Sequence, residues 1–355
     1  MNNSNLLSKA ECNALRGLAI IGIALHNYCH WLGFAVKENE YTFTAQKVTD
    51  LMGHIMQPDC NLPVHLLSFF GHYGVPVFLF LSAYGLVLKY ERQDTAVPVI
   101  PFVGSHYRKL FKMMIVGFVA FTMVDAITPG RHHYQAIDII AQLLMFNNLM
   151  PDPDHIIWPG PYWFFGLMLQ LYIVYRLMLY RRHWVVGLVL VVACTVVQMF
   201  CVPEGDALNR WRYNCVGGML PFVAGMLTAR HIRAGEKGRG IWDIGNNDRI
   251  LWGAAALAML FLVFVCQASY YTWYIVPLLV CIGSVAFVKL LPACVLKGLE
   301  WMGVISAALF VMHPLVRKIF IPISRHGDVY AGLLLYMVAS VFVAWTVDGL
   351  LKRMK

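Results

Sequence analysis

Arg16, His26 and His30 lie within the first apolar stretch of the chain, residues 14–34. A helix rises about 1.5 Å and turns about 100° per residue, so Arg16 and His26 would stand about 15 Å apart along its axis. His26 would lie about 80° and His30 about 40° from the azimuth of Arg16, so all three can line one cavity. An ionisable group in hydrocarbon is costly unless it is paired or faces such a cavity. We therefore expect a working helix whose ionisable side chains face a polar cavity; snorkelling at the helix ends is the alternative.

A second pair of ionisable residues lies in the apolar stretch 304–323. His313 and Arg317 are four residues apart in ISAALFVMHPLVRKIFIPI, so they share one face of a helix. Pro314 frees a backbone carbonyl that can point into a cavity. The pattern predicts that the pair lines a polar path. The structural alternative is pairing with a carboxylate such as Asp125 or with free backbone carbonyls.

Positive charge before the third apolar stretch forms a candidate phosphate site. Arg108, Lys109 and Lys112 occur in HYRKLFK, where Lys109 and Lys112 share a helix face and can hold phosphates as point charges. A nucleotide-bearing donor such as coenzyme A fits this site. Ser82 in VPVFLFLSAYGL is a further donor-binding candidate. Each has a structural alternative, since basic residues are common at the inner membrane boundary and serine in a membrane helix often bonds the preceding turn.

Composition determines the class of protein that positions these residues. Hydrophobic residues make up 59% of the chain and charged residues 13%, whereas soluble domains carry about 25% charge. The first apolar stretch is long enough to span a bilayer and is followed by no cleavage site, so we expect no signal peptide. The nine cysteines lack metal-binding spacing, so we expect no metal. The chain also has no P-loop and no G-x-S-x-G motif.

The apolar stretches predict an all-α, polytopic membrane protein with about ten transmembrane helices in a single domain, residues 1–355. Twenty of the 28 lysines and arginines fall on inner segments if the N-terminus is cytoplasmic, so both termini are predicted to be cytoplasmic. This distribution explains most of the net charge of +9 and gives nucleic-acid binding no support. The long outer connections 35–72 and 129–161 are expected to cover an outer opening. The predicted spans are 14–34, 73–90, 110–128, 162–180, 184–202, 214–229, 250–267, 272–291, 304–323 and 330–350.

These segments together resemble the acyltransferase-3 family of bacterial integral membrane acyltransferases over nearly the whole chain. RGLAIIGIALHNY is similar to the family's Arg-to-His helix, GVPVFLFLSAYGLVL to its second span, and HYRKLFK to its basic motif. WFFGLMLQLYIVY is similar to the fourth span and ISAALFVMHPLV to the ninth. The family usually has ten residues between the arginine and the histidine, where this chain has nine between Arg16 and His26. His30 therefore stays open as a helper or rival of His26.

The resemblance implies an enzyme of the bacterial inner membrane that moves an acyl group, most simply acetyl, from cytoplasmic acyl-CoA to a hydroxyl or amine. The acceptor would be an envelope glycan or a lipid-linked sugar, and no metal is implied. Arg16 with Lys109 and Lys112 would hold the CoA phosphates, and His26 would deprotonate the acceptor or carry the acyl group. His313 and Arg317 would stabilise the oxyanion or orient the acceptor. A transporter or flippase that uses the histidines as proton relays is the alternative, and homo-oligomerisation is left open.

Overall fold

The computed structural model of the protein describes residues 6–91, 95–235 and 248–353. Over these residues it is helical without any β-strand, as predicted. Two short π-helical turns, Val87–Glu91 and Tyr175–Leu179, extend the fourth and eighth helices. The described α-helices are α1 Lys9–Cys29, α2 Gln46–Met56, α3 Leu62–Phe70, α4 Gly74–Leu86, α5 Val99–Ile127, α6 Ala136–Leu143, α7 Pro153–Ile156, α8 Trp163–Val174, α9 Trp184–Met199, α10 Asp206–Arg212, α11 Cys215–Gly235, α12 Arg249–Gln267, α13 Tyr270–Trp273, α14 Val276–Leu290, α15 Ala293–Val304, α16 Ser306–Arg325 and α17 Val329–Arg353.

Helix length and composition fit a multi-pass membrane protein. Among the described residues, 6 helical segments are long and apolar enough to cross a bilayer, and α9 and α14 are shorter apolar helices. Helix α1 is not one of the six, because Asn13, Arg16 and His26 lower its hydropathy. The six segments are Leu62–Glu91, Val99–Ile127, Gly160–Leu179, Arg249–Gln267, Ser306–Arg325 and Val329–Leu350.

Helix α1 begins at a capping box. The Ser8 hydroxyl accepts from the Glu11 amide at 3.2 Å, and the Ser8 amide donates to the Glu11 carboxylate at 2.7 Å. Glu11 also forms an ion pair with Lys289 of α14, with 2.8 Å between Oε1 and Nζ. The start of α1 is thus tied both to its own first turn and to a neighbouring helix.

Backbone contacts hold α1 between α15 on one side and the α3–α4 region on the other. A Cβ atom at Gly17 would overlap the carbonyl oxygen of Leu299, and one at Gly303 would overlap that of Asn13. On the opposite side, a Cβ at Gly71 would overlap the carbonyl oxygen of Gly22. Because the missing side chains let the backbones touch, the position of α1 is fixed along most of its length.

The connection 129–161 folds back into the protein. It contains α6 and a 3₁₀ turn, Asn147–Leu149. Asn147 and Asn148 are buried; Asn147 donates to Gln142 at 2.6 Å, and Asn148 donates to the Tyr213 carbonyl at 2.9 Å. Gln170 of α8 donates to Asn148 at 3.2 Å. These hydrogen bonds join the connection to the core, as buried polar groups require.

Candidate functional site

A cavity of about 780 Å³, here called the histidine cavity, lies at the C-terminal end of α1. The predicted residues His26, His30 and Arg317 all line it. The connections 35–72 and 129–161 contribute further lining residues, so both predicted cover segments do border an opening. The other charged and aromatic residues in its wall are Trp31, Lys37, Glu40, Tyr41, His72, Asp154, Trp158, Trp163, Phe164, Tyr213, Phe310 and Arg325.

The ring of His26 is held in one tautomer. Its Nδ1 lies 2.7 Å from the carbonyl oxygen of Ser68. A carbonyl only accepts, so Nδ1 of the neutral ring carries the proton and Nε2 keeps its lone pair. Nδ1 is occupied by this bond, and the side chain lines the cavity. His26 can therefore offer Nε2 as a general base or a nucleophile.

Three imidazoles meet at the inner wall of the cavity. The ring centroid of His26 lies 4.9 Å from that of His30 and 5.2 Å from that of His72. Nε2 of His72 is 2.8 Å from Oε2 of Glu38, and both side chains are buried. The carboxyl group of Glu38 thus fixes the orientation of the His72 ring. His72 and Glu38 form a second acid–base pair beside His26.

Neither His72 nor Glu38 was among the predicted site residues. They belong to segments separated by 33 intervening residues, so no motif spacing joins them. The only sequence signal was the turn-rich, aromatic segment GHYGVP that contains His72. Their contact is set by the tertiary fold of the connection 35–72.

Arg317 reaches the cavity from α16 and is only 5% exposed. Its guanidinium lies over the Trp31 ring, 4.5 Å from the centroid, and Nη1 is 3.3 Å from the Asn27 carbonyl oxygen. Asp125 instead pairs with Lys318. The alternative of an Arg317–Asp125 ion pair is therefore wrong, whereas the alternative of a bond to a backbone carbonyl is present at Asn27. The guanidinium also lines the cavity.

His313 does not line the cavity, although it shares a helix face with Arg317. Its ring is fully buried, with Nδ1 3.1 Å from the Leu309 carbonyl oxygen. Nε2 has no hydrogen-bond partner in the described part of the chain. Phe310, whose ring centroid is 6.0 Å away, borders the cavity instead. The longer arginine side chain extends into the cavity, whereas the shorter imidazole ends in the packing of α16.

The predicted donor-binding residues lie away from the histidine cavity. Arg16 is half-buried, donates to Asn13 at 2.9 Å, and is close enough to interact electrostatically with the Tyr172 phenol. The ring of His106, in the basic segment, lies 4.3 Å from the ring of Tyr172. Tyr172 of α8 therefore packs against the basic segment of α5. The remaining candidates are Ser82, half-buried on α4, and Arg108, Lys109 and Lys112, exposed on α5.

Two buried carboxyl groups lie on the connection beside the cavity. Burial raises the pKa of Glu38 and of Glu40 to about 8. The Arg212 guanidinium opposes this effect in both cases, and its Nε donates to the Glu40 backbone carbonyl. Glu40 is consequently protonated in most molecules at pH 7.

Replacing Glu40 with glutamine is expected to make thermal stability less dependent on pH. The folded protein keeps a proton on Glu40 up to about pH 8, whereas the unfolded chain releases it above about pH 4.5. The wild type therefore loses stability as the pH rises through this window, and Glu40→Gln lacks that loss. Melting temperatures at pH 5.5 and pH 8 measure the difference. The melting temperature of Glu40→Gln minus that of the wild type should be several degrees larger at pH 8 than at pH 5.5. An equal difference at both pH values contradicts the prediction.

One cluster has the residue types of a metal site. The ligand atoms of His54, Asp59 and His65 all lie within 4.8 Å of one another. However, Nδ1 of His65 accepts a hydrogen bond from the Val36 amide at 3.1 Å, so the ring proton sits on Nε2. While this bond is present, the lone pair of Nδ1 is not free for a metal, and Nε2 carries the proton. We therefore assign no metal here.

Comparison with protein-family models gives a match over most of the chain. The sequence model of the acyltransferase-3 family, described as an acyltransferase domain, matches residues 10–349. Neither the curated proteins nor the solved structures compared with the chain give a match. The matched range includes α1 from its second residue, the basic segment of α5 and the whole of α16.

Proposed function

Because the chain belongs to the acyltransferase-3 family, we propose that it transfers an acyl group, most simply acetyl, from acyl-CoA to an envelope glycan or a lipid-linked sugar. The single observation that carries the proposal is the His26 ring. Its Nδ1 is bound to the Ser68 carbonyl, and the side chain lines a cavity large enough for a sugar unit. The acceptor group is a hydroxyl or an amine.

The proposed topology has ten transmembrane helices, both termini in the cytoplasm, and a bacterial inner membrane as the location. The excess of lysine and arginine on the predicted inner segments supports this orientation. With it, the histidine cavity opens at the outer face, and Arg16 lies towards the cytoplasm. The acyl group would then pass along α1 between its two ends.

His26 is the proposed catalytic residue. Its Nε2 takes the proton from the acceptor hydroxyl as the oxygen attacks the thioester carbonyl. The carbon–sulfur bond of the tetrahedral intermediate then breaks, and the His26 imidazolium returns the proton to sulfur, so that CoA leaves as the thiol. In the other route that the same geometry allows, Nε2 attacks the thioester carbon, and the carbon–sulfur bond breaks to give an acyl-imidazole and free CoA. The acceptor hydroxyl then attacks the acyl carbon and releases the imidazole. His30, His72 and Glu38 hold and polarise this basic group.

Arg317 and His313 are proposed to act on the acceptor side. The Arg317 guanidinium can stabilise the oxyanion or orient the acceptor, since it faces the cavity one helical turn from His313. His313 would act through the packing of α16, because its ring does not reach the cavity. Arg16, Arg108, Lys109, Lys112 and Ser82 would hold the phosphates of the donor on the other side.

Thiol release separates this proposal from transport. Purified protein is incubated with acetyl-CoA and an envelope glycan extract, and free CoA is followed with a thiol reagent. The proposal expects thiol release that depends on the extract, together with acetylated glycan by mass spectrometry. Uptake or efflux of a substrate without thiol release would favour a transporter and contradict acyl transfer.

Arg16→Ala is expected to weaken CoA binding with little effect on the acceptor side. A hydrogen bond to a charged group contributes about 1.5–3 kcal/mol, so the CoA concentration that stabilises the protein should rise about tenfold or more. Thermal-shift titration with CoA measures this response. Arg131→Ala, at an exposed arginine of the connection 129–161, is the control and should respond to CoA like the wild type. An unchanged response in Arg16→Ala would remove Arg16 from the donor site.

A further inference from the structure

The buried charge of Arg317 has no carboxylate partner in the described part of the chain. The side chain is 5% exposed. Its only hydrogen-bond partner among the described residues is Asn27, which Nη1 approaches at 3.3 Å at the carbonyl oxygen and 3.5 Å at Oδ1. Nε and Nη2 make no bond there, although the guanidinium lines the cavity. An ion removed from water without a counter-ion is expensive, so such a group is typically completed by an anion.

The rest of the cavity wall leaves this charge uncompensated. Lys37 and Arg325 also line the cavity and add positive charge. Of the two carboxyl groups in the wall, Asp154 accepts a hydrogen bond from the Tyr213 hydroxyl. Burial raises the pKa of Glu40 to about 8, so it is mostly uncharged at pH 7. The wall therefore holds three cationic side chains, Lys37, Arg317 and Arg325, and neither of the two carboxyl groups pairs with Arg317.

The guanidinium of Arg317 contacts residues that follow His26 in the sequence. It contacts Asn27 and Trp31, one and five residues after His26. Trp31 is 41% exposed, so this part of the wall is close to the mouth of the cavity. A group bound here would belong to the molecule that enters through the mouth, which is the acceptor in the proposed reaction.

We propose that the histidine cavity binds an acceptor that carries a fixed negative charge, a phosphate or a carboxylate, and that Arg317 binds this anion. The inference rests on the proposed function because it assigns the ligand to the acceptor. A planar guanidinium suits both groups, since each can accept two parallel N–H bonds. Trp31, whose ring centroid lies 4.5 Å from the guanidinium carbon, restricts the movement of the guanidinium.

Binding of model sugars tests the charge requirement without any acyl-CoA. The purified protein is titrated with glucose 1-phosphate, glucuronate and methyl glucoside at constant ionic strength, and the melting temperature is followed. We expect stabilisation by one or both anionic sugars and none by the neutral one. Equal stabilisation by methyl glucoside overturns the proposal, as does the absence of stabilisation by both anions.

Substitutions assign the anion to Arg317. Arg317→Gln should weaken the anion response at least tenfold, Arg317→Lys should retain part of it, and Arg210→Gln, at an exposed arginine, should leave it unchanged. If Arg317→Gln does not fold, the partial retention in Arg317→Lys still measures the role of the charge. An undiminished response in both Arg317 variants, with folded protein in size-exclusion chromatography, overturns the assignment.

A lipid arm identifies the source of the anion. The protein is placed in nanodiscs of phosphatidylglycerol or of phosphatidylcholine without any sugar. Stabilisation by phosphatidylglycerol that is lost in Arg317→Gln supports the anion site and indicates a lipid-linked acceptor. Stabilisation that persists in Arg317→Gln counts against Arg317.

The anion-binding experiments and the thiol-release assay test the two proposals independently. Anion binding through Arg317 without thiol release would leave the site and remove the proposed function. Thiol release with no charge-dependent binding would keep acyl transfer and remove this inference.

Discussion

His26→Ala is expected to reduce acyl transfer by about 10²–10⁴-fold, the usual contribution of a positioned general base. The ring is held by the Ser68 carbonyl at Nδ1, so Nε2 is the nitrogen left for proton transfer. If Nε2 carries the acyl group instead, the loss will be at least as large, since the acyl-imidazole cannot form on alanine. The measurement is thiol release from acetyl-CoA with an envelope glycan extract, at protein concentrations matched by size-exclusion chromatography.

The variant should fold and still bind CoA, because the substitution removes a cavity-lining ring and leaves Arg16 in place. His133→Ala, at an exposed histidine, is the matched control and should turn over at the wild-type rate. Full turnover in His26→Ala would move the catalytic base to His30 or to the His72–Glu38 pair. Parallel His72→Ala and His30→Ala variants then identify which of them carries it.

Gly303→Val is expected to cause the largest loss of folded protein. A Cβ at Gly303 would overlap the backbone carbonyl of Asn13 in α1, and a backbone atom cannot move aside as a flexible side chain does. Overpacking of this kind costs about 1–3 kcal/mol and occasionally more. Separation of α15 from α1 would also displace Arg16, which lies three residues beyond Asn13.

Gly298→Val is the control for this prediction. Gly298 lies on the same helix, and a Cβ there would meet no atom within 4 Å. Fluorescence-detected size-exclusion chromatography and thermal melting should show wild-type behaviour for Gly298→Val and a strong loss for Gly303→Val. Similar behaviour of the two variants would mean that α1 and α15 are not in backbone contact.

Helical class, family and part of the site could be predicted from the sequence, because they depend on local pattern. His26 and Arg317 stand out as ionisable groups in apolar stretches, and both line one cavity. Side-chain reach was not predictable: helix spacing placed His313 and Arg317 on one face, yet only the longer side chain enters the cavity. The depth at which a side chain ends depends on neighbouring helices, which one helix period does not describe.

The connections limited prediction most. Glu38 and His72 meet through the fold of the segment between α1 and α4, which has no repeating pattern. In the sequence, Glu38 cannot be distinguished from a solvent-exposed glutamate, because no pattern in this connection indicates burial. The hydrogen bonds of Asn148 with Gln170 of α8 and with the Tyr213 carbonyl are likewise long-range, so no local sequence pattern indicates them.

The central claim is that an acyl group passes from a donor at the Arg16 end of α1 to an acceptor in the histidine cavity, across the membrane. Oriented proteoliposomes loaded with acetyl-CoA labelled in the acetyl carbon, with envelope glycan extract outside, measure this passage directly. The account predicts free CoA inside and label covalently bound to the external glycan. Label that leaves the vesicles as intact acetyl-CoA, or thiol release with all label retained inside, would contradict it.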